Sequence, residues 1–168
     1  VASLGSGFEE GFANWGRAVS GAGWGRFELL AIDWDAFLNG ARDFTVVISP
    51  DDSTVVNDVE YTESAVVVRV LRNVRSELYE YRFQDGDWSG SRVPAPDFGV
   101  VTILSADPQS ATYFFRHESA LQAPTIYAKE AGGDLRVAFA ARNPIDTSGY
   151  MIEQLATTSR DGTRVPYF

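Results

Sequence analysis

Three runs of similar make-up, LLAID beginning at Leu29, LYEYR at Leu78 and IYAKE at Ile126, lie 49 and 48 residues apart. Each is followed, after a polar turn, by a second run: FTVVI, WSGSRV and LRVAF. Upstream of the second and third copies lie two more runs apiece, VVNDVE with AVVVRVL and FGVVTILS with ATYFFR. The repeating unit is therefore four strands in about 48 residues, near the period of a β-propeller blade. Such a sheet cannot bury both faces alone and stacks face to face with its neighbours. Two-sided burial accounts for the near-continuous apolar runs AVVVRVL and GVVTIL, whereas SGSRVP alternates and ends in proline, as an outer edge strand does.

The fold class predicted is all-β: a partial β-propeller of about two and a half four-stranded antiparallel blades, followed by a C-terminal β-hairpin. Residues 27–48 would form the outer half of one blade, 54–93 a second and 97–139 a third. Residues 1–26 are glycine-dense, without a sustained period of 2 or 3.6, and read as loop-rich with at most short strands. One helical turn is expected in WDAFLNG, capped by Asp33 and ended by Gly40. Asp161-Gly162, in ATTSRDGTRVPYF, favours a tight hairpin turn with both central residues at positive φ.

Composition narrows the function classes. At 168 residues, 45% hydrophobic and 13% aromatic, the chain is large and apolar enough for one folded, soluble domain. No apolar stretch approaches the roughly 20 residues needed to span a bilayer. A formal charge of −9 repels phosphate backbones and anionic lipid, so neither nucleic acid nor membrane is an expected partner. The absence of cysteine excludes disulfides, thiolate metal sites and a cysteine nucleophile, and leaves the compartment open. The first residues, VASLGSGFEEGF, have neither an initiator Met nor a signal-peptide pattern, and the chain reads as cut at both ends.

Several stretches resemble a known family: VVVRVLRNVRSELYEY, VPAPDFGVVTILSADPQSATYFFRHESALQAPTIY and YMIEQLATTSRDGTRVPYF, with GRFELLAIDWDAFLNG before them. Their order and spacing are similar to the end of the propeller domain of the prolyl oligopeptidase family of serine peptidases. The closing SRDGTRVPYF resembles the first hairpin of that family's α/β-hydrolase peptidase domain. The resemblance implies a division into 1–26, an uncertain partial blade, 27–140, propeller blades, and 141–168, the linker and first hairpin of a peptidase domain that follows. It also implies that the serine, aspartate and histidine of the catalytic triad lie outside this chain.

The residues themselves offer only weak alternatives. A nucleophile elbow needs G-x-S-x-G; Gly86-Asp87-Trp88-Ser89-Gly90 has the wrong spacing, and Gly5-Ser6-Gly7 has no strand before it. His117, the single histidine, stands near Glu118 and Ser119, a spacing that rarely sets imidazole in line with a hydroxyl; the plainer reading is a loop histidine. One histidine with scattered carboxylates lacks metal-ligand geometry. Asp33 and Asp35 in a strand would sit about 7 Å apart, within range for glycoside chemistry, yet a capping turn explains them more simply. Glu9-Glu10 and Asp51-Asp52 read as solvated loop charges. Arg69, Arg72 and Arg75 are expected to pair with carboxylates such as Glu77 or Glu80 rather than with an anionic ligand. Trp15, Trp24, Trp34 and Trp88 are expected between sheets rather than in a sugar-binding groove. GAGWG lacks the spacing of a phosphate-binding loop.

No catalytic, metal or cofactor-binding residue is assigned in this chain. The expectation is a catalytically silent propeller segment. The resemblance implies a parent that hydrolyses short peptides after proline, with the propeller covering the active site and filtering substrates by size. The expected partners are the peptidase domain of the same protein, short peptide substrates, and further copies of the chain through uncovered blade surfaces. The competing readings are a freestanding β-rich module binding carbohydrate or protein, and a hydrolase acting through Asp33 and Asp35.

Overall fold

The computed structural model describes residues 28–168 and, by backbone alone, two short strands at 2–3 and 10–13. Three four-stranded antiparallel meanders and one hairpin make up the fold. The first sheet comprises β1 (Ala2–Ser3), β2 (Glu10–Ala13), β3 (Leu29–Asp33) and β4 (Thr45–Ile48). The second holds β5 (Thr54–Tyr61), β6 (Val66–Arg72), β7 (Arg75–Gln84) and β8 (Asp87–Arg92), and the third β9 (Val100–Ser105), β10 (Thr112–Glu118), β11 (Thr125–Glu130) and β12 (Leu135–Ala140). β13 (Leu155–Thr158) and β14 (Arg164–Tyr167) form the closing hairpin.

The strands fall on the runs that repeat in the sequence. LLAID is β3, LYEYR lies in β7 and IYAKE in β11. The half-blade expected at 27–48 is extended by β2, which pairs with β3 from Glu10↔Asp33 to Ala13↔Leu30, and by β1 beyond it. The helical turn forms where expected, as α1 (Trp34–Leu38), because Asp33 Oδ1 accepts the Ala36 amide at 2.7 Å and Gly40 leaves the helix at φ +96°. That turn fixes the roles of the acidic pair: Asp33 caps, and Asp35 sits in the first helical turn rather than beside it on a strand.

Strand periodicity explains the stacking. In β6, Val66, Val68 and Val70 face the first sheet with Tyr79 and Tyr81 of β7, meeting Leu29, Ala31 and Val47. Val67 and Leu78 point the other way, into a second core with Val93, Val101, Tyr113, Phe115 and Tyr127 of the third sheet and its approach. All four of these valines are fully buried, so β6 has no solvent face. Trp88 packs on the first of these cores and lies 5.4 Å from Phe83, while Trp34 stacks on Phe37 at 6.1 Å. Trp15 and Trp24 lie outside the described residues.

A carboxylate also crosses the second interface. Glu80, 2% exposed, accepts from Tyr113 Oη at 2.7 Å and from Lys129 Nζ at 2.9 Å through one oxygen. Through the other it accepts from Arg82 at 2.9 Å and the Gly132 amide at 3.0 Å. Burial alone would push this carboxyl up, but Lys129, Tyr113 and the Gly132 amide together hold it below the usual carboxylate range. The Tyr113 hydroxyl is pushed up by burial and by the adjacent carboxylate. Gly132, at φ +76°, leaves room for the Arg82 guanidinium, which a Cβ there would meet at less than van der Waals distance.

The final turn differs from the expected form. Gly162 has φ +86°, but Asp161 does not enter the left-handed region. The Ser159 amide bonds the Thr163 carbonyl at 2.9 Å, and Asp161 accepts from the Thr163 amide at 3.0 Å and from the Ser159 hydroxyl. A three-residue loop with glycine last therefore replaces the two-residue turn, because the Asp161 carboxylate bonds its own loop. Two-residue turns with positive φ occur instead at Asn73-Val74 and Asp85-Gly86.

Burial on both faces of the second sheet sets an expected outcome. Leu78→Ala should lower the unfolding free energy in urea by about 2–5 kcal/mol, as buried leucines do. Val55→Ala, at a position 51% exposed, should change it by no more than about 0.5 kcal/mol.

Candidate functional site

One end of the stack gathers the β6–β7 turn, the connection from β8 to β9, the β10–β11 loop and the passage leaving β12. Between them lies a cavity of about 650 Å³ lined by Val74, Phe98, Val100, Leu121, Ile145 and Ile152 among others. The size is that of a small-ligand or side-chain pocket. Each meander has four strands, so the chain enters and leaves a sheet at the same end, which brings these loops together.

Side chains of the exit passage pin the β10–β11 loop in place. Ser119 Oγ accepts from the Leu121 and Gln122 amides at 3.2 and 3.0 Å, shaping a serine turn. Asn143 donates to the Leu121 carbonyl at 3.0 Å and accepts from the Ala123 amide, and Thr147 Oγ1 donates to the same Leu121 carbonyl at 3.0 Å. On the opposite rim the Gln154 amide donates to the Asn73 carbonyl at 2.6 Å, joining the passage to the β6–β7 turn.

The rim is held in unusual backbone conformations. Val74 has φ +60° and Phe98 φ +58°, sterically costly for a β-branched and a bulky residue. Phe98 is held from both sides: the Arg75 guanidinium lies 4.7 Å over its ring, and Phe168 meets it edge-on with centroids 6.3 Å apart. Arg75 and Arg92 each contact Asp97 at 2.9 Å, and Arg92 foremost holds the Asp97 carboxyl below its ordinary value. The arginines raised as ligand groups are thus committed to carboxylates: Arg69 to Asp58, Arg72 to Asp51 and Glu77, Arg75 to Asp97. Glu80, expected to serve these arginines, takes Arg82 and Lys129 instead, because it points into the second interface.

His117 lies behind this wall, not in a loop. It continues the buried alternation of Tyr113 and Phe115 along β10 and is 1% exposed, which corrects the loop assignment. Neither ring nitrogen has a hydrogen-bond partner of good geometry among the described residues, and Ser119 Oγ is engaged by backbone amides. The two therefore do not form a nucleophile and base pair. Glu118 pairs with Arg116 at 3.1 Å. Burial holds the imidazole below its ordinary value, against the opposing influence of the Asp97 backbone and of Gln122. Gly99 makes the position possible: a Cβ there would collide with His117 Nε2 and lie 2.6 Å from the Glu118 carbonyl.

Comparison with known proteins gives this end of the molecule its context. The family described as prolyl oligopeptidase, N-terminal beta-propeller domain, matches residues 22–140. An uncharacterized peptidase of Sinorhizobium fredii is 29% identical over 143 residues, taking in 83% of this chain and 20% of that protein. An uncharacterized peptidase of Rickettsia prowazekii is 25% identical over 144 residues, with the same coverage of 83% and 20%. Among solved structures, a post-proline cleaving enzyme from Rickettsia typhi superposes with a TM-score of 0.68 at 20% identity, over 83% of this chain and 21% of its own. The chain thus spans about a fifth of the length of the curated relatives it matches.

The buried imidazole predicts a pH dependence. An unfolded chain takes up a proton near the ordinary value of about 6.5, whereas folded His117 resists protonation to lower pH. Between the two values the unfolded state carries the extra proton, so stability falls as the pH is lowered through that window and levels off below it. His117→Phe should flatten this part of a urea-midpoint against pH profile. Gly99→Ala should cost about 1–3 kcal/mol at neutral pH by overpacking.

Proposed function

The chain belongs to the prolyl oligopeptidase family, as part of its N-terminal β-propeller domain, and on that premise we propose that it is the closing segment of the propeller of a serine peptidase that cleaves short peptides after proline. The observation that carries the reading is the family match over residues 22–140, which takes in the stacked strands from β3 onward and stops at the end of β12. Residues 141–168 then serve as the linker and first hairpin of the peptidase domain. The name of the similar Rickettsia typhi enzyme supports a preference for proline, and the naming of both curated relatives as peptidases supports hydrolysis.

In this reading the propeller acts sterically. Sheets packed through both faces resist deformation, so a ring of them sets a fixed opening over the active site. Short extended peptides pass and folded proteins do not, and covering the site excludes bulk water from the reaction. The nucleophile, base and oxyanion donors belong to the peptidase domain.

The isolated chain has a further property. The outward face of the third sheet carries Phe139 at 58% and Leu104 at 46% exposure, beside Phe114 and Ile126. An uncovered apolar sheet face of this kind drives association. Light scattering should report dimers or larger species at high concentration, and a strict monomer would contradict this.

For the enzymatic reading, the parent-length polypeptide should hydrolyse a short chromogenic peptide with proline before the scissile bond and be inhibited by a serine-directed phosphonate. It should leave the same sequence uncut within a folded protein, and the 168-residue chain alone should show no turnover. Turnover by that chain, or equal cleavage of the folded protein, would contradict the proposal.

A further inference from the structure

The connector from β8 to β9, residues 94–99, joins the second sheet to the third and is lightly fastened. Pro94 and Pro96 have no amide hydrogen to donate, and the Ala95 amide bonds the Val93 carbonyl at the connector's own start. Side chains do most of the holding. Asp97 pairs with Arg75 and Arg92 at 2.9 Å each, Phe98 lies under the Arg75 guanidinium and against Phe168, and Ala95 sets one methyl on the second core. The Asp97 side chain is 50% exposed, so its ion pairs are weak restraints, and Phe98 holds a costly φ of +58°. A segment attached in this way opens more readily than the strands on either side of it.

Beneath the connector lies His117, 1% exposed, with neither ring nitrogen hydrogen-bonded among the described residues. β9 and β11 wall it through its register partners Val101 and Thr125. The remaining side is closed by Gly99, whose backbone comes so near Nε2 that a Cβ there would collide. The charged groups around the ring are already engaged: Glu118 with Arg116 on its own strand, and Asp97 with Arg75 and Arg92 above it. From the β10–β11 loop and β11, the Gln122 side-chain amide is turned to Thr125 Oγ1 at 3.1 Å and Tyr127 Oη at 3.2 Å. A protonated ring would therefore bring two N–H donors and a charge into a place without a carboxylate to receive them. Burial already holds the imidazole below its ordinary value.

We propose that His117 is a pH-sensitive catch for this connector: the neutral ring lets residues 94–99 close over the second core, and proton uptake releases them while the sheets stay stacked. The direction of release follows from what surrounds the ring. Reaching water past Val101 or Thr125 would break the ladders of β9 or β11, whereas reaching it past Gly99 breaks two exposed ion pairs and relieves Phe98 of its positive φ. Proton uptake and opening are thus linked. The open form binds a proton near the ordinary value of about 6.5, the closed form only at lower pH, so acidification between the two favours opening.

The proposal does not depend on the peptidase reading, and its test uses no activity. Amide hydrogen exchange of the 168-residue chain, followed by NMR from neutral to mildly acidic pH and corrected for the intrinsic pH dependence of exchange, gives the opening of each segment. Opening at residues 97–99 should rise by a factor approaching about ten for each pH unit below about 6.5, then level off where the closed form itself takes the proton. The amides of β6 should show no such rise. His117→Phe fills the space without a titrating group, and His117→Gln keeps a polar side chain; in whichever of them β6 shows that the sheets are folded, the slope at 97–99 should vanish. A flat profile at 97–99 in the unaltered chain would overturn the proposal, because the proton is then accommodated with the connector closed. So would an equal rise in β6, which is loss of the whole fold, or the same slope in a folded His117 variant, which assigns the effect to another group.

Discussion

The rest of the structure depends on a sheet that has to be covered twice. β6 places Val66, Val68 and Val70 on one side and Val67 on the other, all fully buried, and β7 follows suit with its tyrosines on one face and Leu78 and Glu80 on the other. At roughly 1.5–3 kcal/mol for each large side chain removed from water, neither face can be left bare in a stable protein. Stacking against a sheet on each side is the arrangement that the strand period allows. Once three sheets stack in this way, the loops that join them collect at one end and the apolar cavity forms between them.

Within that frame the two interfaces differ in chemistry. Among the described residues the first is apolar at its centre, with Leu29, Ala31 and Val47 against the valines and tyrosines of the second sheet. The second carries the Glu80 carboxylate, which is reached by a phenol, an ammonium, a guanidinium and a backbone amide. A buried ion pair is a poor source of net stability, but each member left alone is costly, so the pair disfavours other registers between the sheets. Apolar faces slide over one another at little cost; a carboxylate with four specified donors does not. The exposed pairs around Asp97, Arg75 and Arg92 contribute far less and serve mainly to shape the cavity rim.

Much of the fold was legible because blade strands announce themselves by period and recurrence. The runs LLAID, LYEYR and IYAKE fall on equivalent strands, and their first and third residues share one face: Leu29 and Ala31 in the first sheet, Leu78 and Glu80 in the second. That equivalence held the signal for the polar interface, since a glutamate stands in LYEYR where LLAID has alanine. Its donors could not be read in the same way, because Tyr113, Lys129 and Gly132 are brought together only by stacking. His117 was similarly hidden: its burial follows the alternation from Tyr113 and Phe115, but the room for it comes from Gly99 on a different strand approach. The cavity was the least legible feature, being a property of four loops and of two backbone conformations that valine and phenylalanine rarely adopt. The Asp161-Gly162 turn was placed correctly and shaped differently, since a carboxylate that bonds its own loop competes with the two-residue form.

The most direct measurement is a double-mutant cycle across the second interface, between Glu80 of β7 and Tyr113 of β10, which the chain separates by 33 residues and the structure joins at 2.7 Å. Unfolding free energies of Glu80→Gln, Tyr113→Phe and the double variant should give a coupling of about 1–3 kcal/mol, as for buried partners in one polar network. A coupling indistinguishable from zero would mean that the two sheets do not meet at this carboxylate, and the stacked arrangement would be wrong.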